Sequence, residues 1–290
     1  MVERLDARLR GPQAAAKIDA DEFSTLAAET GLKRDALLVA CLPWAQRWAR
    51  APLSNFQVGA VALADSGVLY FGANIEFHGL PHAQTIHAEQ SVIAHAWSRG
   101  ETTLQALATS AAPCGFCRQF MLELAEPQPV LILAEQLAHG PVELDALLPM
   151  AFGPTQLGRT PTLLRAGPHA LEFNPPDPDH ADDSLATLAL AAAKRSNAPY
   201  TGAFAGVALA TRDGQRFAGA VAESAAYNPT LAPMQAALIA LHHSGGAFDQ
   251  IERAVLVELD DALISQLDAA TAILASLAPN ATLTRRLARL

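Results

Sequence analysis

The sequence predicts an α/β protein built from two similar halves. Three observations lead to this fold class. The elements of the first half alternate as hairpin, helix, strand, helix and strand, which is typical of helices packed on a sheet. A later stretch of the chain repeats the first half. Hydrophobic residues make up 51% of the 290 residues and charged residues 17%, which allows a large core.

Residues 1 to about 50 are predicted to be helical, most clearly from Arg34 to Trp48, where apolar residues recur at helical intervals. The pattern changes at Ala51-Pro52 into a β-hairpin, whose strands run from Val58 to Leu63 and from Val68 to Ala73 around the turn "ADSG". The later elements of this half are a helix from His87 to about Arg99, a strand in "LQALATSA", a helix opened by "PCGFC" and a strand in "PVLILA".

The second half resembles the first in sequence. The stretch "APYTGAFAGVALATRDGQRFAGAVAESAAYNP" can be laid over "APLSNFQVGAVALADSGVLYFGANIEFHGLP", which pairs Glu223 with Glu76. Between the halves, "LEFNPPDPDHADD" contains three prolines and five acidic residues and is the predicted linker. The chain is therefore expected to contain an internal duplication.

The polar residues that the second half lacks are informative. A one-residue slip lays "MQAALIALHHSGG" over "AEQSVIAHAWSRG", which places Pro233 opposite His87 and Gln235 opposite Glu89. The two cysteines of "PCGFC" have no counterpart in "AVLVELDDALIS". Because one half is expected to fold without these polar residues, the fold alone does not require them in the other half.

Charge and cysteine content narrow the range of partners. The net charge of -9 and the pI of about 5.4 give no basic surface for nucleic acid or anionic lipid, so a small neutral ligand is expected. The N-terminal stretch "MVERLDARLR" lacks the apolar core of a secretory signal, and no later apolar run reaches membrane-spanning length. Three cysteines make a disulfide framework implausible. These features predict a cytoplasmic location, with Cys41 as a small buried hydrophobe.

One histidine and two cysteines, His87, Cys114 and Cys117, are ligands of the kind that Zn²⁺ takes. Three protein ligands leave a fourth tetrahedral position open, as in a catalytic site. Both ligand segments are predicted to lie in the first turn of a helix, where free backbone N–H groups favour thiolates. Glu89, two residues after His87, is placed to reach the water and not the metal.

Other interpretations of these motifs remain. CxxC alone is also a turn, a redox pair or half of a zinc finger, and HxE alone means little. A redox pair explains nothing about the HAE upstream, and a purely structural zinc site leaves Glu89 without a purpose. The combined pattern favours a hydrolytic zinc site, with Glu89 transferring protons.

The combination of "HAE" and "PCGFC" is the signature of zinc-dependent nucleobase deaminases. With "SNFQVGA", "GANIEF", "QTIHAEQSVIAHAW", "PCGFCRQFMLEL" and "AYNPT", the chain resembles the cytidine deaminases that act on free nucleosides, in their long, two-domain, homodimeric form. The resemblance runs from about residue 35 to the end. It implies a three-layer α/β/α sandwich around a mixed five-stranded sheet, repeated in a degenerate second domain. The resulting domains are an N-terminal helical segment 1–34, a catalytic domain 35–172, a linker 173–183 and a degenerate domain 184–290.

The resemblance also implies roles for particular residues. It assigns one Zn²⁺ per chain to His87, Cys114 and Cys117, with zinc-bound hydroxide attacking C4 of the base and Glu89 as the proton shuttle that holds N3. The substrate is implied to be cytidine or deoxycytidine, which would become uridine or deoxyuridine in pyrimidine salvage. The implied substrate-binding residues are Asn74 and Glu76 at the ribose, Phe56 beside the base, and Tyr227 in "ESAAYNP", the stretch through which the partner subunit of the homodimer completes the active site.

Two positions depart from the pattern of the family, which has Phe where this chain has Tyr227 and His where it has Phe116. Neither is expected to touch the metal ligands. A polynucleotide-editing deaminase is a second hypothesis, against which the acidity of the chain and the sugar-binding "NIEF" both argue. A non-catalytic zinc protein is the third.

Overall fold

A computed structural model describes residues 16–174 and 183–290, which fall into two compact units. The first unit contains residues 16–76, 85–164 and 243–245, and the remaining described residues form the second unit. Residues 165–172, predicted to belong to the catalytic domain, lie in the second unit, where the strand Glu172–Phe173 pairs with the last strand of the chain. Residues 1–15 and most of the predicted linker lie outside the described residues.

The strands of the first unit are β1 (Lys17–Ile18), β2 (Gly59–Ala64), β3 (Leu69–Ala73), β4 (Leu104–Thr109) and β5 (Val130–Leu133). They form one sheet in the order β1-β3-β2-β4-β5. The pair β4 and β5 is parallel, and the other neighbours are antiparallel, so the sheet is mixed, as the family resemblance implies.

Helices cover both faces of this sheet and make three layers. The helices of the unit are α1 (Ala20–Thr30), α2 (Arg34–Gln46), α3 (Ala88–Ser98), α4 (Gly115–Met121) and α5 (Leu144–Leu147), with 3₁₀ turns at Ala134–His139 and Pro154–Leu157. Two helices, α1 and α2, bury one face, where Cys41 is fully buried as predicted. Helix α3 covers the other face so closely that a Cβ on Gly72 of β3 would lie 2.3 Å from the amide nitrogen of Val92.

The second unit repeats this architecture. Its elements are β6 (Glu172–Phe173), α6 (Ser184–Lys194), β7 (Ala205–Thr211), β8 (Arg216–Ala220), α7 (Pro233–His242), β9 (Ile251–Leu259), α8 (Leu267–Leu277) and β10 (Thr282–Arg289), with 3₁₀ turns at His82–Gln84 and Phe248–Gln250. The strands of its sheet lie in the order β6-β10-β9-β7-β8. Helix α6 lies on one face of its sheet and helix α7 on the other, because Gly206 and Gly219 allow the same close approach.

The structure corrects the register of the repeat. Bridge Ile75↔Ile86 in the first unit corresponds to bridge Ala222↔Leu231 in the second, so the chain between them is shorter by two residues in the second unit. The one-residue slip predicted from the sequence is therefore wrong. The error has a simple cause, because an Ala-rich helix matches itself almost equally well in neighbouring registers.

The corrected register is supported by the helix starts. Gln90 accepts a hydrogen bond from the backbone amide of His87, and Gln235 accepts one from that of Ala232. Ala232 thus stands opposite His87, and Met234 opposite Glu89. Neither Ala nor Met can replace the side chain that it faces, so the second unit still lacks these polar groups. Among the described residues, no helix combines the length and the apolar character that crossing a bilayer requires.

Candidate active site

His87 is the N-cap of helix α3. Its backbone is extended, and its carbonyl accepts the helical hydrogen bond from Ser91. Because α3 is pressed against β3 at Gly72, the helix start is fixed relative to the sheet. The imidazole of His87 therefore projects from a rigid point, beside backbone N–H groups that have no partner within the helix.

Cys114 is the N-cap of helix α4, and Cys117 lies in its first turn. Arg118 secures this loop by donating from Nε to the carbonyl of Pro113 and from a terminal nitrogen to that of Leu147. Sequence reasoning missed Arg118, although its place directly after Cys117 is a usable signal. Two helix starts thus bring the three predicted ligand side chains, those of His87, Cys114 and Cys117, close together.

The three candidate ligand atoms form a compact triangle. Nδ1 of His87 lies 3.5 Å from Sγ of Cys114 and 3.4 Å from Sγ of Cys117, and the two sulfurs are 3.8 Å apart. A tetrahedral zinc with Zn–S bonds of about 2.3 Å and a Zn–N bond of about 2.0–2.1 Å requires edges of about 3.5 Å and 3.8 Å. The triangle matches those edges closely, so these side chains fit Zn²⁺. It is the only such group among residues 16–174 and 183–290.

The two thiols differ strongly in acidity. Hydrogen bonding with Cys117, and then with His87, lowers the pKa of Cys114 to about 3. The hydrogen bond between the two thiols and burial raise the pKa of Cys117. The hydrogen bond with Cys114 also raises the pKa of His87. A divalent cation between the sulfurs would deprotonate both thiols.

Glu89 lies beside the triangle and not within it. Its side chain is buried at 4% exposure, and Oε2 lies 3.2 Å from Sγ of Cys117. Burial raises the pKa of the Glu89 carboxyl. A carboxyl group whose pKa is raised by burial, next to a metal-binding group, is suited to accept and return protons.

Phe116, between the two cysteines, stacks on the imidazole of His87. The ring centroids are 5.1 Å apart and the planes are inclined by 21°. Phe116, one of the two residues that depart from the implied family pattern, therefore contacts a candidate ligand through an apolar face, and the expectation that it does not touch the ligands is wrong.

Asn74 and Glu76 lie at the end of β3 and hold the loop that contains Phe56. Asn74 accepts from the amide of Val58 and donates to the carbonyl of Phe56. Glu76 accepts from the amides of Leu53 and Ser54 and, at 2.5 Å, from the hydroxyl of Ser54. Desolvation opposes ionisation of Glu76, but these hydrogen bonds outweigh it and hold its pKa below the usual range.

The two predicted aromatic contacts are exposed in the chain described. Phe56 belongs to the first unit and is 61% exposed. Tyr227 belongs to the second unit, where it has a positive φ of 60° in a turn and is also 61% exposed. Both rings therefore leave more than half of their surface uncovered within the chain.

Comparison with known proteins identifies the family. Residues 33–133 and residues 144–271 each match the model described as "Cytidine and deoxycytidylate deaminase zinc-binding region". The cytidine deaminase of Serratia proteamaculans is 42% identical over 94% of this chain and 90% of its own length, and that of Klebsiella pneumoniae is 45% identical over 93% and 88%. The chain belongs to the cytidine deaminase family. In this cytidine deaminase fold the metal is Zn²⁺, which agrees with the ligand triangle.

A solved cytidine deaminase structure from Mycobacterium tuberculosis is similar over 42% of this chain and 99% of its own, with 33% identity and a TM-score of 0.37. The match to residues 144–271 lies largely in the second unit, so the family relationship extends beyond the half that carries the ligand triangle.

Proposed function

We propose that this chain catalyses the hydrolytic deamination of cytidine and deoxycytidine to uridine and deoxyuridine, with one Zn²⁺ per chain. The proposal depends chiefly on the ligand triangle of His87, Cys114 and Cys117 with the buried Glu89 next to it. These three side chains would hold the metal. When bound there, Zn²⁺ supplies the Lewis acidity that makes hydroxide available near neutral pH.

Glu89 is the proposed proton carrier. Its carboxylate takes one proton from the attacking water and delivers it to N3 of the base. It then takes the second proton from the hydroxyl now on C4 and passes it to the departing amino group. Water adds at C4, the C4–N bond breaks, and ammonia leaves, so the atoms balance. Burial favours this role because it keeps the pKa of Glu89 raised and excludes competing solvent.

Asn74 and Glu76 are the proposed ribose contacts and Phe56 the ring beside the base. All three belong to one hydrogen-bonded loop system at the end of β3, which supports their acting together. A site that hydrogen-bonds sugar hydroxyls discriminates against free cytosine, because free cytosine cannot form those hydrogen bonds.

The proposal extends to assembly and setting. A homodimer in which Tyr227 of one subunit completes the site of the other is supported by the exposed position of this ring. Pyrimidine salvage is the proposed metabolic role. A cytoplasmic location is consistent with three cysteines that are all free.

Ultraviolet monitoring of the purified protein with cytidine, deoxycytidine, cytosine and adenosine in parallel tests the proposed activity. The absorbance change is expected with both cytosine nucleosides and not with cytosine or adenosine. Activity on cytosine equal to that on cytidine would contradict the proposed sugar contacts. Stoichiometric zinc without activity on any of the four would favour a non-catalytic zinc protein.

A further inference from the structure

Besides the side chains of the zinc site and Gln90, helix α3 carries two further buried polar side chains. Ser91 and His95 are both fully buried. The hydroxyl of Ser91 lies 2.9 Å from Nε2 of His243, and Nδ1 of His95 lies 2.9 Å from the carbonyl oxygen of Phe71 in β3. The helix that presents His87 at its N-cap is therefore attached to its surroundings by directional bonds as well as by apolar packing.

His243 is itself held firmly within the first unit. Its carbonyl accepts a hydrogen bond of 3.0 Å from the amide of Ala16. Its ring packs edge-on against Trp48, with centroids 5.6 Å apart, and lies 4.9 Å from the ring of His95. The next residue, Ser244, accepts from Arg99 at the C-terminal end of α3. A rigid group thus contacts Ser91, only four residues after His87.

The second unit shows that the fold does not need these polar groups. In the corrected register, Ala236 and Ala240 of α7 stand opposite Ser91 and His95, and α7 packs on its sheet through the same kind of close glycine contact. Burying a hydroxyl and an imidazole has a free-energy cost that alanine avoids. Ser91 is therefore present where the metal site is present, and absent where it is absent.

We infer that His243 is a positioning residue for the zinc site, acting through its hydrogen bond to Ser91. This bond fixes the rotation and axial position of α3, and with them the imidazole of His87 and the carboxylate of Glu89. Partners that orient a ligand-bearing element affect both metal retention and activity, and removing one commonly changes them by about 10–100-fold. For its activity readout, the inference rests on the proposed function.

The test uses the zinc-loaded full chain with Ser91→Ala and His243→Leu, which remove the bond, and His243→Gln, whose amide nitrogen reaches a similar place. Ser91→Ala is expected to fold, because the second unit uses alanine there. Ser98→Ala is the matched control, since within the described part of the chain that hydroxyl bonds only to the carbonyl of His95 in its own helix. The readouts are zinc release to a chelator, kcat and KM for cytidine, and Tm.

Ser91→Ala and His243→Leu are expected to release zinc about 10-fold faster and to lower kcat about 10-fold, with KM changed less than kcat. His243→Gln should recover most of both properties, and Ser98→Ala should match the parent in both. The inference is overturned if Ser91→Ala and His243→Leu keep the zinc-release rate and kcat of the parent, or if His243→Gln behaves like His243→Leu. If the parent itself does not deaminate cytidine, the proposed function fails, while the zinc-release comparison still decides the role of His243.

Discussion

Glu76 and Glu223 close the same loop in the two units. Each carboxylate accepts hydrogen bonds from two consecutive backbone amides and from the hydroxyl of the second residue, which is Ser54 in the first unit and Thr201 in the second. The second unit keeps this arrangement although it has no metal-binding group among its described residues. A glutamate at this place therefore shapes the loop independently of catalysis, whatever else it contacts.

Asn74 differs from Glu76 in this respect. Its equivalent in the second unit is Val221, so the fold tolerates an apolar side chain there. In the first unit, its amide group links Val58 and Phe56 and orders the loop proposed to contact the nucleoside.

We expect Asn74→Val to fold with a Tm within a few degrees of the parent and to lower kcat/KM for cytidine at least about 10-fold, because a lost hydrogen bond leaves polar groups unpaired. Thermal unfolding and steady-state kinetics measure the two effects. Glu76→Gln is the comparison and should lower Tm more than Asn74→Val does. A parallel loss of stability and activity in Asn74→Val would indicate a purely structural residue.

Glu89→Gln separates metal binding from proton transfer. The amide has nearly the same shape as the carboxyl but cannot carry the proton, so the variant should retain about one zinc per chain and lose about 10²–10⁴-fold in kcat. Metal analysis and cytidine turnover are measured on the same sample. Deamination at the parent rate would exclude Glu89 as the proton carrier, and loss of zinc would make it a ligand instead.

Local patterns predicted most of the elements of the first unit. The first hairpin strand is predicted one residue too early at both ends, whereas the second is predicted to begin one residue too early and to end at the correct residue. Helix α3 is predicted within a residue at both ends, because alternation and helical spacing are local properties. The short strand Lys17–Ile18 lies in a segment predicted to be helical, since pairing with β3 decides its conformation. His87 and the two cysteines were found together because their spacing carries chemical meaning.

Other features were beyond the reach of local pattern. The contact of Ser91 with His243 joins residues 152 positions apart, and the sequence around neither residue predicts it. The register of the repeat could not be fixed from an Ala-rich helix. Its correction needed Gln90 and Gln235, whose side chains bond to equivalent backbone amides at the two helix starts.

Phe116 is expected to stabilise the zinc site by holding the ring of His87. Phe116→Leu keeps an apolar side chain but removes the stacked ring, so zinc release to a chelator should become several-fold faster, in line with the roughly 0.5–1.5 kcal/mol of an aromatic pair. Phe116→Tyr retains the ring and serves as the control. Equal release rates for Leu, Tyr and the parent would show that stacking does not contribute to metal retention.

His95 should make the protein sensitive to acid. Nδ1 donates to the carbonyl of Phe71, so Nε2 is the unprotonated nitrogen, and no described residue offers it a hydrogen-bond partner. Burial, assisted by the positive charges of Arg99 and Lys17, lowers the pKa of His95 to about 3. The rings of Tyr70 and His243 contact the ring of His95, but neither forms a hydrogen bond with Nε2.

The direction of the effect follows from the two pKa values. Unfolded, the imidazole has a pKa of about 6.5 and binds a proton that the folded protein excludes, so the stabilisation is complete above pH 6.5 and is lost as the pH falls towards 3. Between pH 7 and pH 5 the parent should lose about 2 kcal/mol of unfolding free energy from this group. Urea unfolding of zinc-loaded His95→Ala should lack that loss, whereas the exposed-site control His82→Ala should show the loss of the parent. Equal pH dependence in all three proteins would mean that His95 is protonated in the folded state.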